Sequence, residues 1–175
     1  MNSTFIVNFV GKASPSTIKQ LAATTHENGG KWLISKVNFI ENQVAAVIKI
    51  ELPSANEETV KAAFRTVPDL LVQFVESDST SHNKDEIFQL RLDSNDRAGI
   101  VNEITQVLDG QDIHILDMDC QRVFIAGGGG ISNSLFTANM AIRLPEALNI
   151  DDVTKELESL SEDTRVILTN EEAIN

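Results

Sequence analysis

The sequence predicts an α+β fold built twice: two tandem units, each with an antiparallel sheet and two helices on one face. Three observations predict it. The chain matches itself at a nearly fixed offset. Each half reads strand, helix, strand, strand, helix, strand, and a polar stretch without apolar periodicity separates the halves. The chain has 175 residues, 42% hydrophobic and 23% charged, the composition of one ordinary folded domain or two small ones.

The elements follow in order. Placing Phe5 over Phe88, an offset of 83, puts Phe5, Val7 and Phe9 on Phe88, Leu90 and Leu92. Both triplets alternate as a half-buried strand does. At the same offset Ile18 and Leu21 fall on Val101 and Ile104. Ile100, Val101, Ile104, Val107 and Leu108 form an apolar stripe at helical spacing, and Ile18, Leu21, Ala22 and Thr25 form a weaker one. Asn28-Gly29-Gly30 and Gly110 supply the turns that end these helices. The offset then grows to 92, where Leu52-Pro53 falls on Leu144-Pro145. Before each pair lies an alternating strand: Val44, Ala46, Ile48 and Ile50, then Phe136, Ala138, Met140 and Ile142. After each comes a second helical pattern, on Val60, Ala63, Phe64 and Val67, then on Val153, Leu157 and Leu160. Leu70–Val75 and Val166–Leu168 close the copies as short strands.

This order is that of the ferredoxin-like βαββαβ unit. The first domain is expected over 1–77, with the second over 87–175 and a linker over 78–86, inside the polar run Glu76–Glu86. The growth in offset places about nine extra residues in a Gly-rich insertion, 124–134, of the second domain. Halves of roughly 80 residues are small for isolated cores, so packing between halves or a homodimer would help bury the sheets. One continuous sheet built from both halves is the alternative architecture.

The charge count, 14 Lys+Arg against 26 Asp+Glu, gives a net charge of −12. Such a surface disfavours nucleic acid, whose affinity comes mostly from Lys and Arg, and disfavours anionic membranes. Cys120 is the one cysteine, which excludes an intrachain disulfide and a Cys-rich zinc site. The start, MNSTFIVNFVGK, lacks the basic residues and long apolar core of a signal peptide. A soluble, cytoplasmic protein is expected.

No catalytic pattern emerges. His26, His82 and His114 lack the spacing to a carboxylate or second histidine that a metal motif needs. Asp117 and Asp119 share a strand face, but His114 points to the other. Cys120 reads as a small hydrophobe. Gly127–Gly130 lead into a strand rather than a helix, so they read as a strand-to-strand connection and not a phosphate cradle. Neither a cofactor nor a metal is expected, and the chain does not read as an enzyme.

The turn Ser94–Ile100 carries the most chemistry. Asn95 or Asp96 can accept from backbone N–H groups at a helix start. Gly99 lets the backbone approach closely. Free N–H groups at the helix N-terminus suit a carboxylate, and Asp96 suits an ammonium, so the turn suits a zwitterion; plain helix capping is the structural alternative. In the strand Ile113–Val123, Ile113 and Ile115 set one apolar phase, and Leu116, Met118 and Cys120 set the other. A strand apolar on both phases is buried on both faces or bulged. Inter-domain or inter-subunit packing would account for it.

On these residues the sequence resembles the ACT domain family of small-molecule-binding regulatory modules. The signature is a strand, then Asp96-Arg97-Ala98-Gly99-Ile100-Val101 opening a helix, then the strand around Ile113–Asp119. Two such units with nothing else attached resemble the glycine cleavage system transcriptional repressor family, over roughly Thr4 to Thr169. The resemblance implies an amino acid, glycine in the first place, bound at an interface between domains. Asn95, Asp96, Ala98, Gly99 and Ile100 would clasp it from one side, and Ile115, Leu116 and Asp117 from the other. It implies a regulator that holds a transcription activator of glycine cleavage genes by protein contact.

This chain departs from the family pattern in two places. Ala98 stands where the family usually has Pro, which should loosen the turn slightly. The first copy has Lys12-Ala13-Ser14-Pro15-Ser16 at its turn, with Asp, Arg and Gly replaced and Pro kept. It reads as a packing partner without a competent site of its own. Against the sensor stands an interaction or dimerisation module of the same fold that no longer binds a ligand. A hydrolase of this fold, such as an acyl-phosphate hydrolase, would need an Arg–Asn pairing that the chain does not offer.

Overall fold

The computed structural model describes residues 1–77, 85–126 and 132–169. It divides the chain into two compact units, Met1–His82 and Asn83–Asn175. The first contains β1 (Asn2–Lys12), α1 (Pro15–Glu27), β2 (Lys31–Ile40), β3 (Gln43–Pro53), α2 (Glu57–Arg65) and β4 (Leu70–Glu76). The second contains β5 (Glu86–Asn95), α3 (Ile100–Asp109), β6 (His114–Ala126), β7 (Ser132–Leu144), α4 (Ile150–Glu158) and β8 (Arg165–Leu168). Each unit has its own four-stranded sheet, in the order β2-β3-β1-β4 and β6-β7-β5-β8. All neighbours run antiparallel. The fold is therefore α+β with two tandem ferredoxin-like units, and the sheets do not join as one.

Alternation builds each core. In β1, Phe5, Val7 and Phe9 are buried, as are Val44, Ala46, Ile48 and Ile50 of β3 beside it. Val60 and Phe64 of α2 and Leu21 of α1 cover that face. The Phe64 ring packs 5.9 Å from Phe9 and 6.3 Å from Phe74, centroid to centroid. In the second unit Leu90 and Leu92 pack with Phe136, Ala138, Met140 and Ile142. Ile100, Ile104 and Leu108 of α3, with Val153 and Leu157 of α4, close over them. Each such side chain contributes roughly 1.5–3 kcal/mol by leaving water. Pro15 opens α1, where its missing N–H costs nothing. Asn149 caps α4, its side-chain oxygen accepting from the Asp151 N–H at 2.8 Å.

The two apolar phases of β6 come from a bulge. Its register on β7 slips between Ile115 and Asp117, which accommodates Leu116 as an extra residue. Ile115 pairs with Ile142 before the slip, and Met118 and Cys120 pair with Met140 and Ala138 after it. All of these lie on the helix-covered face, while Asp117, Asp119 and Gln121 lie on the other. Packing against a second domain is thus not needed to explain the pattern. β2 slips at the corresponding place, between Trp32 and Ile34.

Two boundaries differ from the sequence expectation. Glu86, placed in the linker, begins β5; residues 78–84 of that linker lie outside the described residues. The insertion 124–134 is partly strand, since β6 and β7 stay paired out to Ala126 and Ser132. Gly127–Gly130, with Ile131, lie outside the described residues.

Candidate functional site

The second unit turns from β5 into α3 through Asp96–Gly99. Gly99 sits at the N-cap with φ 83°, in the left-handed region, and no side chain caps the helix. Its carbonyl accepts the first intrahelical bond, from the Glu103 N–H at 3.0 Å. The N–H groups of Ile100, Val101 and Asn102 precede that bond and have no intrahelical acceptor. They give the turn its positive end. A Cβ built on Gly99 would meet nothing within 4 Å, so the space beside its α-carbon is open, while Ile100 after it is buried.

Asp96 does not cap the helix, contrary to the plain-capping alternative. Its carboxylate accepts from Arg122 Nε at 2.9 Å and from Ser134 Oγ at 3.1 Å, on β6 and β7. Its own N–H donates to the Ser134 carbonyl at 3.0 Å. The Arg122 guanidinium, helped by the Ser134 hydroxyl, holds the Asp96 carboxyl below the usual carboxylate range. The group is an anion at neutral pH, already engaged by one cation. Arg97 ties the turn downward: it pairs with Glu103 at 2.5 Å and donates to the Leu160 carbonyl at 3.3 Å.

Asn95 is held by a residue the sequence reading missed. Its N–H donates to the Asp163 carboxylate at 2.5 Å. Asp163 also accepts from Ser161 Oγ at 2.6 Å and Ser94 Oγ at 3.3 Å. Ser94 and Thr164 are buried and share a hydrogen bond of 3.1 Å. The Ser161 hydroxyl and the Asn95 N–H pull the Asp163 carboxyl down to about 2. The polar run Ser161-Glu162-Asp163-Thr164 before the last strand was the available signal. Only topology, which lays β8 beside β5, gives it meaning.

The proposed clasp is not assembled within this unit. Asn95, Asp96, Ala98, Gly99 and Ile100 gather at the turn. Ile115, Leu116 and Asp117 lie at the far end of the sheet. Asn95 pairs with Leu135, and Leu135 pairs with Val123. Val123 is eight residues along β6 from Ile115, a distance of roughly 26 Å. Ile115 instead lines a shallow cleft with Thr105, Gln106, Asp109, Ile113 and His114. Asp117 is exposed on the face away from the helices.

The first unit's turn has none of this side-chain chemistry. Ser14 is the N-cap of α1, in extended conformation, and its side chain makes no cap bond. Cys120 is half-buried against the core, and burial pushes its thiol up. Among the described residues, no group of three or more His, Cys, Asp or Glu is gathered as a metal site requires. No helix among them is long and apolar enough to cross a membrane.

No protein-family model matches the sequence, and no curated protein gives a sequence match. Solved structures share the fold. An unknown protein from Galdieria sulphuraria superposes with a TM-score of 0.78 at 15% identity, over 96% of this chain and 98% of that one. A candidate glycine cleavage system transcriptional repressor superposes with a TM-score of 0.62 at 13% identity, over 97% of this chain and 99% of that one. Both likenesses run across both units, and at these identities what this chain is similar to is the fold.

Proposed function

We propose that this chain is an amino-acid-responsive regulatory protein, with glycine the first ligand to test. Its mode of action would be protein contact with an activator of glycine cleavage genes. The observation that carries the reading is the uncapped N-terminus of α3. There Gly99, in the left-handed region, leads into N–H groups without intrahelical acceptors, within the same turn as an ionised Asp96. Such an end suits the carboxylate of a small zwitterion, and Asp96 suits its ammonium. The fold shared with a candidate glycine cleavage repressor supports the regulatory class. The far placement of Ile115–Asp117 means that a second wall made from those residues would come from another copy of the unit. The net charge of −12 fits a regulator that works through a protein rather than on DNA.

One observation favours the second reading, a module of this fold without a ligand. The Asp96 carboxylate is already satisfied by Arg122 and Ser134. Isothermal titration with glycine, then a panel of amino acids, separates the two. Saturable heat that Gly99→Trp removes without unfolding the chain supports the sensor. Equal affinity in that variant overturns this site, and a flat response to the whole panel overturns the sensor in favour of the module.

A further inference from the structure

We infer that the face of the first sheet opposite its helices is a self-association surface, and that its occupant is the same face of a second copy. Helices cover only one side of the sheet. The other side presents Ile6, Val10, Ile34, Val47, Leu71 and Val75, of which Leu71 is 76% and Ile34 56% exposed. Isolated exposed apolar residues are ordinary, but a contiguous set on one sheet face marks an interaction site. The second sheet does not repeat it. Its corresponding face does expose Ile87, Val123, Leu135 and Ile167, but Arg91, Asp93, Asp117, Asp119 and Asn139 stand among them and break the set up.

Charge permits that occupant. Residues 1–77 carry seven Lys+Arg and seven Asp+Glu, whereas residues 85–169 carry six and sixteen. The chain's acidity is therefore concentrated in the second unit, and a like pairing of first units is free of net repulsion. The face is also compatible with itself. Cross-strand registers form three rows: Asn38-Ala45-Val10-Leu71, Lys36-Val47-Asn8-Gln73 and Ile34-Lys49-Ile6-Val75. A two-fold axis lying in the interface along the strands sets β2 of one copy over β4 of the other and keeps each row at its level. Lys36 then lies over Gln73, Lys49 over Ile6 and Val10 over Ala45. No like charges coincide, and the lysine stems lie along apolar neighbours. The rotation of about −30° usual between packed sheets leaves this central arrangement in place.

Size sets the expected strength. Four strands about 4.8 Å apart and about 3.4 Å per residue give a face of roughly 20 by 25 Å. That is about 500 Å² a side and about 1,000 Å² in all, below the roughly 1,200–2,000 Å² of stable interfaces, so a weak, reversible dimer is expected. The test is sedimentation velocity of the full chain from about 2 to 200 µM. The unmodified chain should move from one chain mass toward two. The double variant Val10→Lys/Leu71→Lys should weaken association at least roughly a hundredfold. Both positions are exposed, so circular dichroism should stay unchanged, and the melting curve should fall only slightly, because the two lysines face each other across β1 and β4. Ile167→Lys, on the outer face of the second sheet, should leave the dimer intact. A single-chain mass across the whole range overturns the inference. So does a dimer that survives the double variant, or one that Ile167→Lys weakens as much.

Discussion

At the corner where the first strand of each unit turns into its first helix, equivalent backbone groups meet different partners. In the first unit the Lys12 N–H donates to the backbone carbonyl of Asp69 at 3.3 Å. In the second, its counterpart Asn95 donates to the side-chain carboxylate of Asp163. One residue on, the two agree: Ala13 donates to the Asn42 carbonyl, and Asp96 to the Ser134 carbonyl. One residue back, they diverge again. Gly11 lets the Asp69 carbonyl come close, whereas Ser94 offers a hydroxyl to Asp163 and Thr164. The same fold is closed once by backbone contact at a glycine and once by a polar side-chain network. Only the second solution leaves charged side chains beside the uncapped helix end, the feature on which the proposed ligand site rests.

The largest expected effect breaks the first solution. Gly11 has φ 148°, and a Cβ there would lie 2.0 Å from the Asp69 carbonyl oxygen. That oxygen belongs to the backbone of a residue itself held at φ 63°, so it cannot turn aside as a flexible side chain would. Gly11→Ala should destabilise the first unit by about 3 kcal/mol or more, by clash and strain together. The matched change Ser94→Ala in the second unit should cost only about 1–2 kcal/mol, the worth of buried hydroxyl hydrogen bonds. Urea denaturation of the full chain, resolved into two transitions if the units unfold separately, checks both. Equal losses at the two positions would show that the corners are not closed differently after all.

These corners also mark where sequence reading stops. The repeat, the strand alternation and the helical stripes were legible because burial imposes periods of two and 3.6 on local sequence. Phe5, Val7 and Phe9, and Ile100, Ile104 and Leu108, all lie in the cores their spacing implied. The turn Asp96–Gly99 was legible too, as a concentration of turn and polar residues. The roles within it were not. Asp96 was read against the helix it precedes, but its partners Arg122 and Ser134 are 26 and 38 residues away. Asp163, 68 residues from Asn95, stands in a polar run whose role only the pairing of β8 with β5 reveals. The bulge at Leu116 was one of two readings of a doubly apolar strand, and only the register on β7 decides between them.

The second solution can be broken with acid. Asp163 has a folded pKa of about 2, below an ordinary aspartate value of about 3.9. Because the folded state holds the ionised form, its contribution is complete above about pH 4 and is lost as pH falls through about 2. Asp163→Asn should lower the melting temperature of the second unit at neutral pH and leave the first unit unchanged. The gap between variant and unmodified chain should stay constant down to about pH 4 and then close toward pH 2. Melting curves followed by circular dichroism across that range test it. A gap that is already absent at pH 7 would mean that the Asn95 N–H does not depend on this carboxylate.

The smallest effect separates the backbone's need at the second corner from the ligand's. Gly99 holds φ 83° with open space around its α-carbon. Gly99→Ala therefore adds a methyl that touches nothing, and its cost is the left-handed conformation alone, about 1 kcal/mol. Gly99→Trp imposes a similar backbone strain and also fills the open space at the start of α3. If the N–H groups there bind a carboxylate, the alanine variant should keep amino-acid affinity within a few-fold while the tryptophan variant loses it. Their melting temperatures should stay close to one another. Parallel titration calorimetry and thermal melts of the two variants read both quantities. Affinity lost equally in both would place the requirement in the backbone conformation of the turn, and affinity kept in both would move the ligand away from α3 altogether.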